Sequence, residues 1–396
     1  MFFRSLQRVK NIKFIFWMKP VDAVILYSND VDLLKKWILN PIGIKKIFIR
    51  DPLELIFNFQ ILFNFIKNIK FLFRGSTIRR ARFIYEKSLI ESIKPKIVIT
   101  MKDNSEFLSE ISKIDTQRLY VAIQNGTRFD YIVEDITKTV FQELNRESFI
   151  YFCWGDYEKD VYKKYSDYNC TFIPVGSIRQ SISKHYQISD ERFENKKFDF
   201  FMSSTIHGLT DYNTVRKIYG NDVVQDEWTP INSLIAKHLN RYIQERGKSL
   251  VIALRGNSDF EKKLYKSIFS KNVLFYNRSY NNLGLDNYYL VKNSNIIISF
   301  AGSLALEALG CGKKILQIDY SNKKQYCINY PNSFWQLYDN SYNSFCDSLD
   351  FISSIKINDY NNKTRKYQNY VMQYDKSEPT YIKIQDLIKQ KIKLFA

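Results

Sequence analysis

Ser299, Gly302, Ser303 and Glu307 stand close together in the run Ile296-Ile-Ile-Ser299-Phe-Ala-Gly302-Ser303-Leu-Ala-Leu-Glu307-Ala-Leu-Gly310. A glycine lets a backbone approach a ligand closely. The N–H groups that open a helix at Ser303 can hold a phosphate. An acid one turn further in, about 6 Å along the axis, can accept both hydroxyls of a ribose. Together these groups suit a nucleotide mono- or diphosphate. The same letters also describe an ordinary strand exit followed by a helix with a solvent-facing glutamate, so the run alone leaves both readings open.

A second group lies in Tyr120-Val-Ala-Ile-Gln124-Asn125-Gly126-Thr-Arg128-Phe-Asp130. Two amides and an arginine follow an apolar strand, and polar residues at the carboxyl end of a parallel strand line the ligand crevice of an open α/β sheet. Asn-Gly alone is only a turn signal. Upstream, Asp103 follows the apolar run Lys96–Thr100. It is either a cap for the next helix or a carboxylate that takes an acceptor proton or steadies charge on a sugar ring. Asp130 is the second candidate for that work. Arg255, beside Gly256 after Leu250–Leu254, is either a phosphate clamp or a surface cation. Asp30-Val-Asp32 has the letters of a metal-binding acid pair but opens a helix and reads as capping. With no other such pair at a strand end, no metal or other cofactor is expected. Helix N-termini and Arg255 would then offset the charge of a leaving group.

Apolar runs separated by helical periodicity must position these residues. Strands are expected at Val21–Tyr27, Lys46–Ile49, Lys96–Thr100, Leu119–Ile123, Phe149–Cys153 and Thr171–Val175. Helices are expected near Asp30–Leu39, Leu53–Phe73, Thr77–Ile93 and Tyr157–Tyr165. Polar residues 185–197 read as a linker. A second series follows, with strands at Phe198–Met202, Leu250–Leu254, Val273–Tyr276 and Lys314–Ile318, and helices at Ile231–Arg246 and Phe260–Phe269. Asn361–Phe395 reads as mostly helical. Alternation of this kind specifies α/β units with parallel sheets.

The Ser299–Glu307 run and the Gln-Asn-Gly-x-Arg run resemble motifs of GT-B glycosyltransferases, in particular bacterial proteins that build surface carbohydrate, O-antigen or capsule. The resemblance covers about Lys96 to Tyr320; many relatives carry His in place of Asn125. It implies two Rossmann-like domains facing across a cleft, residues 1–188 on the acceptor side and 198–360 on the nucleotide-donor side, with segment 361–396 returning to the first domain. It further implies that Ser299, Gly302, Ser303, Glu307 and Arg255 hold the nucleotide. Gln124, Asn125 and Arg128 would place acceptor or sugar, and Gly176 and Ser177 would lie near the cleft. The implied reaction moves a sugar from a nucleotide-sugar donor to a lipid-linked or growing saccharide. Polyol-phosphate transfer from a CDP-alcohol and 2-epimerisation of a sugar nucleotide use the same architecture and stay open.

Length and charge narrow the partners. The 396 residues suffice for two domains, and 45% apolar content allows real cores. Five cysteines and three histidines have no metal-ligand spacing and fit a reducing compartment. Of the formal charge of +18, residues 1–100 carry +12, from 19 Lys and Arg against 7 Asp and Glu. A basic face can meet nucleic acid, anionic lipid or only water. No nucleic-acid motif accompanies it, whereas Arg74, Arg79, Arg80 and Arg82 border the apolar stretch Leu53–Phe73, so an anionic membrane surface is the expected partner. No run is apolar enough to span a bilayer, and the expected location is the cytoplasmic face of the cell membrane.

Overall fold

The computed structural model describes residues 11–27, 30–51, 54–70, 77–103, 106–127, 129, 148–165, 171–185, 196–206, 225–255, 259–269, 273–277, 285–321, 326–328, 330–331, 333–373, 375 and 377–395. Among them the strands are β1 (Asn11–Phe14), β2 (Ala23–Leu26), β3 (Ile47–Arg50), β4 (Glu54–Phe57), β5 (Ile97–Thr100), β6 (Leu119–Ile123), β7 (Phe149–Cys153) and β8 (Thr171–Pro174), followed by β9 (Phe198–Ser203), β10 (Leu250–Leu254), β11 (Val273–Asn277), β12 (Ser294–Ser299), β13 (Lys314–Ile318) and β14 (Gln336–Leu337).

Two six-stranded sheets form, in the orders β3-β2-β5-β6-β7-β8 and β11-β10-β9-β12-β13-β14, with every neighbouring pair parallel. Strands such as Leu119–Ile123, Phe149–Cys153 and Leu250–Leu254 are buried at every position. That is why they read as unbroken apolar runs: helices cover both faces of a parallel sheet. Each order has one reversal, between β2 and β5 in the first sheet and between β9 and β12 in the second. The carboxyl edge beside such a reversal is where open α/β sheets bind ligands.

The stretch expected as one long helix from Leu53 is broken. Glu54–Phe57 pairs in parallel with β1 as a small separate sheet, and the helix is Phe59–Asn68. Asn58 is the reason. Its backbone is extended, and its side chain accepts the N–H groups of Gln60 and Ile61, starting the helix there. Asp30 departs from expectation too. It occupies the cap position of Val31–Leu34, yet its side chain makes no capping bond. The expected linker lies mostly in residues 186–195, outside the described residues.

The carboxyl-terminal part returns to the first domain. Helices Tyr342–Ser354 and Ile357–Val371 lie with the second sheet, whereas helix Thr380–Ile392 puts Ile384 and Ile388 into a core with Trp37, Ile38 and Ile178. Gln385 donates to the Trp37 carbonyl at 2.8 Å, and the Thr380 N–H to Ser181 Oγ at 2.9 Å. Between these helices the chain crosses a narrow gap. The Gln373 N–H donates to the Trp154 carbonyl at 2.7 Å, and the Ser177 N–H to Met372 Sδ at 3.1 Å. Glycines make the gap possible. A Cβ on Gly155 would lie 2.2 Å from the Tyr370 carbonyl oxygen, one on Gly176 2.1 Å from that of Gln373, and one on Gly310 2.3 Å from Met372 Cβ. Gly155→Ala should therefore cost about 1–3 kcal/mol of unfolding free energy, the range for overpacking. Denaturant titration measures it, and a variant as stable as the parent would contradict the tight crossing.

Candidate functional site

The β9 and β12 strand ends build one half of the site. Ser203 and Ser299 are paired in register at the carboxyl edge, with their hydroxyl oxygens 3.4 Å apart. The chain leaves β12 through Ala301, which is held at φ 51°, a left-handed conformation uncommon outside glycine. Gly302 follows. A Cβ there would sit 2.3 Å from Ser299 Oγ and 3.1 Å from Ser203 Oγ, so only glycine leaves the two hydroxyls room. Ser303 then opens the helix Ser303–Gly310, and Glu307 lies buried one turn in.

Arg255 comes to the same edge. Its N–H is held by Glu261 Oε1 at 2.9 Å, and its Nη1 donates to the Thr205 carbonyl at 3.1 Å, just past the end of β9. The β9 exit is itself fixed from below. Asn232 donates to Thr205 Oγ1 at 2.9 Å, and Tyr265 lies 3.0 Å from Ser204 Oγ. Asn232 and Tyr265 carry no legible signal in the sequence, because each stands alone in a helix far from its partner.

In the first domain the outcome is mixed. Gln124 is buried and its amide is fully engaged. It donates to the Gly126 carbonyl at 2.9 Å and to Glu158 at 2.6 Å, and it accepts the Trp154 N–H at 2.7 Å. It thus shapes the loop rather than facing a ligand. Asp103, expected to project into the crevice, is also buried and accepts the Tyr151 hydroxyl at 2.6 Å. Tyr151 is on β7, two strands over, so this carboxylate lies over the sheet face. Asn125 is exposed and accepts from the Arg179 guanidinium, whose other branch pairs with Asp30. This pair accounts for the missing Asp30 cap. Arg179 is the functional candidate that motif reading passed over; its only sequence signal is its place two residues after Ser177 in a helix-opening turn. Arg128 and Asp130 lie outside the described residues.

The two motifs meet across the domain boundary. The Thr127 N–H, in the Gln-Asn-Gly loop, donates to Ser303 Oγ at 3.0 Å. Ser177 from the first domain and Tyr288 from the second both donate hydroxyls to Glu307 Oε2, each at 2.6 Å. Burial, reinforced by the Glu307 charge, pushes the Tyr288 phenol well above its usual range, while Arg179 opposes the shift. Asn125, Arg179, Ser177, Ser303 and Glu307 therefore form one polar seam. Among the described residues no three His, Cys, Asp or Glu side chains gather as a metal-binding group, and no helix is long and apolar enough to cross a membrane. Ser177→Ala removes a buried bond to a carboxylate and should lower stability by about 1.5–3 kcal/mol, whereas Ser303→Ala, losing a neutral bond, should cost about 0.5–1.5 kcal/mol. Equal losses in chemical denaturation would contradict the asymmetry.

Two doubly wound sheets whose carboxyl edges face each other, tied by a returning helix, define the GT-B fold. By sequence the chain belongs to a family of O-antigen biosynthesis proteins, whose model matches residues 121–392. It therefore has a role in surface-carbohydrate biosynthesis. No curated protein matches it in sequence. Solved structures similar to it include the UDP-GlcNAc 2-epimerase of Neisseria meningitidis bound to UDP-GlcNAc, at 14% identity and TM-score 0.50 over 95% of this chain and 100% of that one. Another is the UDP-GlcNAc 2-epimerase of Methanocaldococcus jannaschii in complex with UDP-GlcNAc and UDP, at 13% and 0.54 over 93% and 99%. A third is the wall teichoic acid polymerase TagF, at 11% and 0.50 over 95% and 90%. At such identities the likeness is one of fold.

Proposed function

We propose that this protein is a glycosyltransferase that moves a sugar from a nucleotide-activated donor to a lipid-linked or growing surface polysaccharide. The observation that carries the reading is the meeting of the two motif loops at Thr127 and Ser303, which supports a donor side and an acceptor side sharing one seam. On the donor side, the helix N-terminus at Ser303 and the neighbouring Ser299 hydroxyl would meet a phosphate, and Arg255 supplies the cation. Glu307 takes the ribose hydroxyls. On the acceptor side, Asn125 and Arg179 line the crevice at the exit of β6. The leaving nucleotide carries its new charge toward Arg255 and the helix N-terminus, so the transfer proceeds without a metal ion.

Nucleotide-bound neighbours of the same fold, with UDP-GlcNAc or UDP, support an activated sugar as donor. The basic, apolar-faced first domain favours transfer onto a membrane-held acceptor over 2-epimerisation of a free sugar nucleotide. Peripheral attachment at the inner face of the cell membrane follows from that choice.

Thermal unfolding in the presence of CMP, CDP, UDP and GDP tests the donor site, since a ligand at a hundred times its Kd stabilises by about 2.7 kcal/mol. One nucleotide family should raise the Tm, and Glu307→Ala should weaken its affinity by about 1.5–3 kcal/mol in isothermal titration. If no nucleotide shifts the Tm, the donor assignment fails. Transfer activity should also persist in excess EDTA. Complete loss that Mg²⁺ or Mn²⁺ restores would show that a metal offsets the leaving-group charge instead of Arg255.

A further inference from the structure

The helix Phe59–Asn68 turns most of its apolar side chains away from the core. Two of its polar side chains face the protein: Asn64 donates to Ser92 at 2.9 Å, and Asn68 donates to Glu91 at 2.6 Å, both on the helix Thr77–Ile93. Of its apolar side chains, Ile61 is buried and Phe65 packs against the core, but most face outward. Phe59, Leu62, Phe63 and Ile66 are exposed, at the i, i+3, i+4, i+7 spacing of a single stripe. A helix that packs on a globular core by burial alone would present the opposite faces.

The stripe continues onto the small sheet beside it. Phe14 and Phe57, opposite each other in register, bring their rings together at 5.6 Å in a tilted contact on the outer side. The loop after β1 adds Phe16, 90% exposed, and Trp17, 70% exposed. Tethers hold the loop to the helix: the Met18 N–H donates to Gln60 Oε1 at 3.0 Å, and Asn58 donates to the Ile15 carbonyl at 2.5 Å. Strands, loop and helix therefore present one apolar surface with aromatic rings at its rim. A contiguous face of this kind on a folded protein marks an interaction surface.

Charge identifies the occupant. Residues 11–20 and 54–70 contain four lysines and one carboxylate, Glu54, which is paired with Lys13 at 2.7 Å. Lys19, Lys67 and Lys70 are exposed around the apolar face, and the Lys67 ammonium lies over the Phe63 ring, 4.3 Å from its centre. Aromatic and aliphatic side chains ringed by lysines match a bilayer interface, where apolar groups enter the headgroup–acyl boundary by ~5–10 Å and ammonium groups meet anionic headgroups. The surface is also rooted at the crevice. Arg50, at the carboxyl end of β3, forms a buried two-pronged pair with Glu86 at 2.6 and 2.7 Å, and donates to the Glu54 carbonyl at 2.7 Å where β4 begins. The small sheet is thereby fixed to the same edge of the first sheet that carries Asn125.

We infer that the face made by Phe14, Phe16, Trp17, Phe59, Phe63 and Ile66 inserts shallowly into an anionic phospholipid surface. This deepens the membrane attachment proposed above, but stands on the exposed face itself and is tested apart from nucleotide binding.

The test uses the full chain with vesicles of phosphatidylglycerol and phosphatidylcholine, or of phosphatidylcholine alone, some with brominated acyl chains. The parent should sediment with the anionic vesicles, release in part at high salt, and lose Trp fluorescence to the bromines. Trp17→Phe should bind comparably yet lose most of that quenching. Phe16→Ser with Trp17→Ser, and separately Phe59→Ser with Phe63→Ser, should each lower the partition coefficient at least tenfold while keeping the parent's nucleotide-dependent Tm shift or its absence. Binding undiminished by both double variants, or binding without quenching of Trp17, would overturn the inference. So would a parent that elutes as a dimer and ignores vesicles while the variants elute as monomers, since the face would then seat a second copy. Quenching of Trp17 in the parent decides the question even if a double variant fails to fold.

Discussion

The arrangement of the whole molecule hangs on one crossing of the chain, Tyr370 to Gln373. Here the backbone leaves the second domain and enters the first through a gap that admits no side chain on Gly155, Gly176 or Gly310. Met372 fills it. Its thioether accepts the N–H of Ser177 while its stem lies against Gly310, a use for which a flexible, polarisable side chain is suited. Because Ser177 also reaches Glu307, the crossing and the seam are mechanically one object. The glycines that look like turn residues in the sequence are there for contact, and of the three only Gly176, at φ 90°, also needs its conformational freedom.

Around that crossing the site is made of residues that hold one another. Gln124 ties the β6 exit to Glu158 and Trp154; Asn232 and Tyr265 do the same under β9. Such fully engaged buried groups contribute less by their net energy than by fixing a single loop geometry, since each would be costly to leave unpaired. Ala301 fits this picture. Its left-handed backbone is the kind of local strain that a well-determined surround sustains.

How far the sequence could be read followed from how local each cause was. The parallel strands were legible almost to the residue, as at Leu119–Ile123 and Lys314–Ile318, because burial on both faces writes itself as a run of apolar letters. The two motif loops were legible because glycine and strand-end polar residues sit together in the chain. Where partners are distant, nothing local records them. Arg179 meets Asp30 across 149 positions, and Asp103 meets Tyr151 across 48, so a cap was expected in one place and a crevice carboxylate in the other. The stretch after Leu53 misled for a different reason. Its apolar residues read as one long helix, but Asn58 divides it, and most apolar side chains of the resulting helix point away from the core, Ile61 and Phe65 excepted. Strands β1 and β14 and the helices Asp286–Lys292 and Tyr342–Ser354 are too short or too mixed in polarity to stand out.

Glu307 carries a consequence for thermodynamics. Two hydroxyls, one from each domain, converge at 2.6 Å on a single oxygen of its carboxylate. A vicinal diol offers the same two donors, so in the proposed donor site the protein's own side chains stand where a ribose would. A ribose that claims this oxygen takes over the bond by which one domain grips the other. Occupancy and domain separation then become linked variables. On the proposed function, the affinity observed would be the intrinsic one scaled by the fraction of molecules already unlatched, and whatever loosens the Ser177 side of the latch would tighten the grip on the nucleotide.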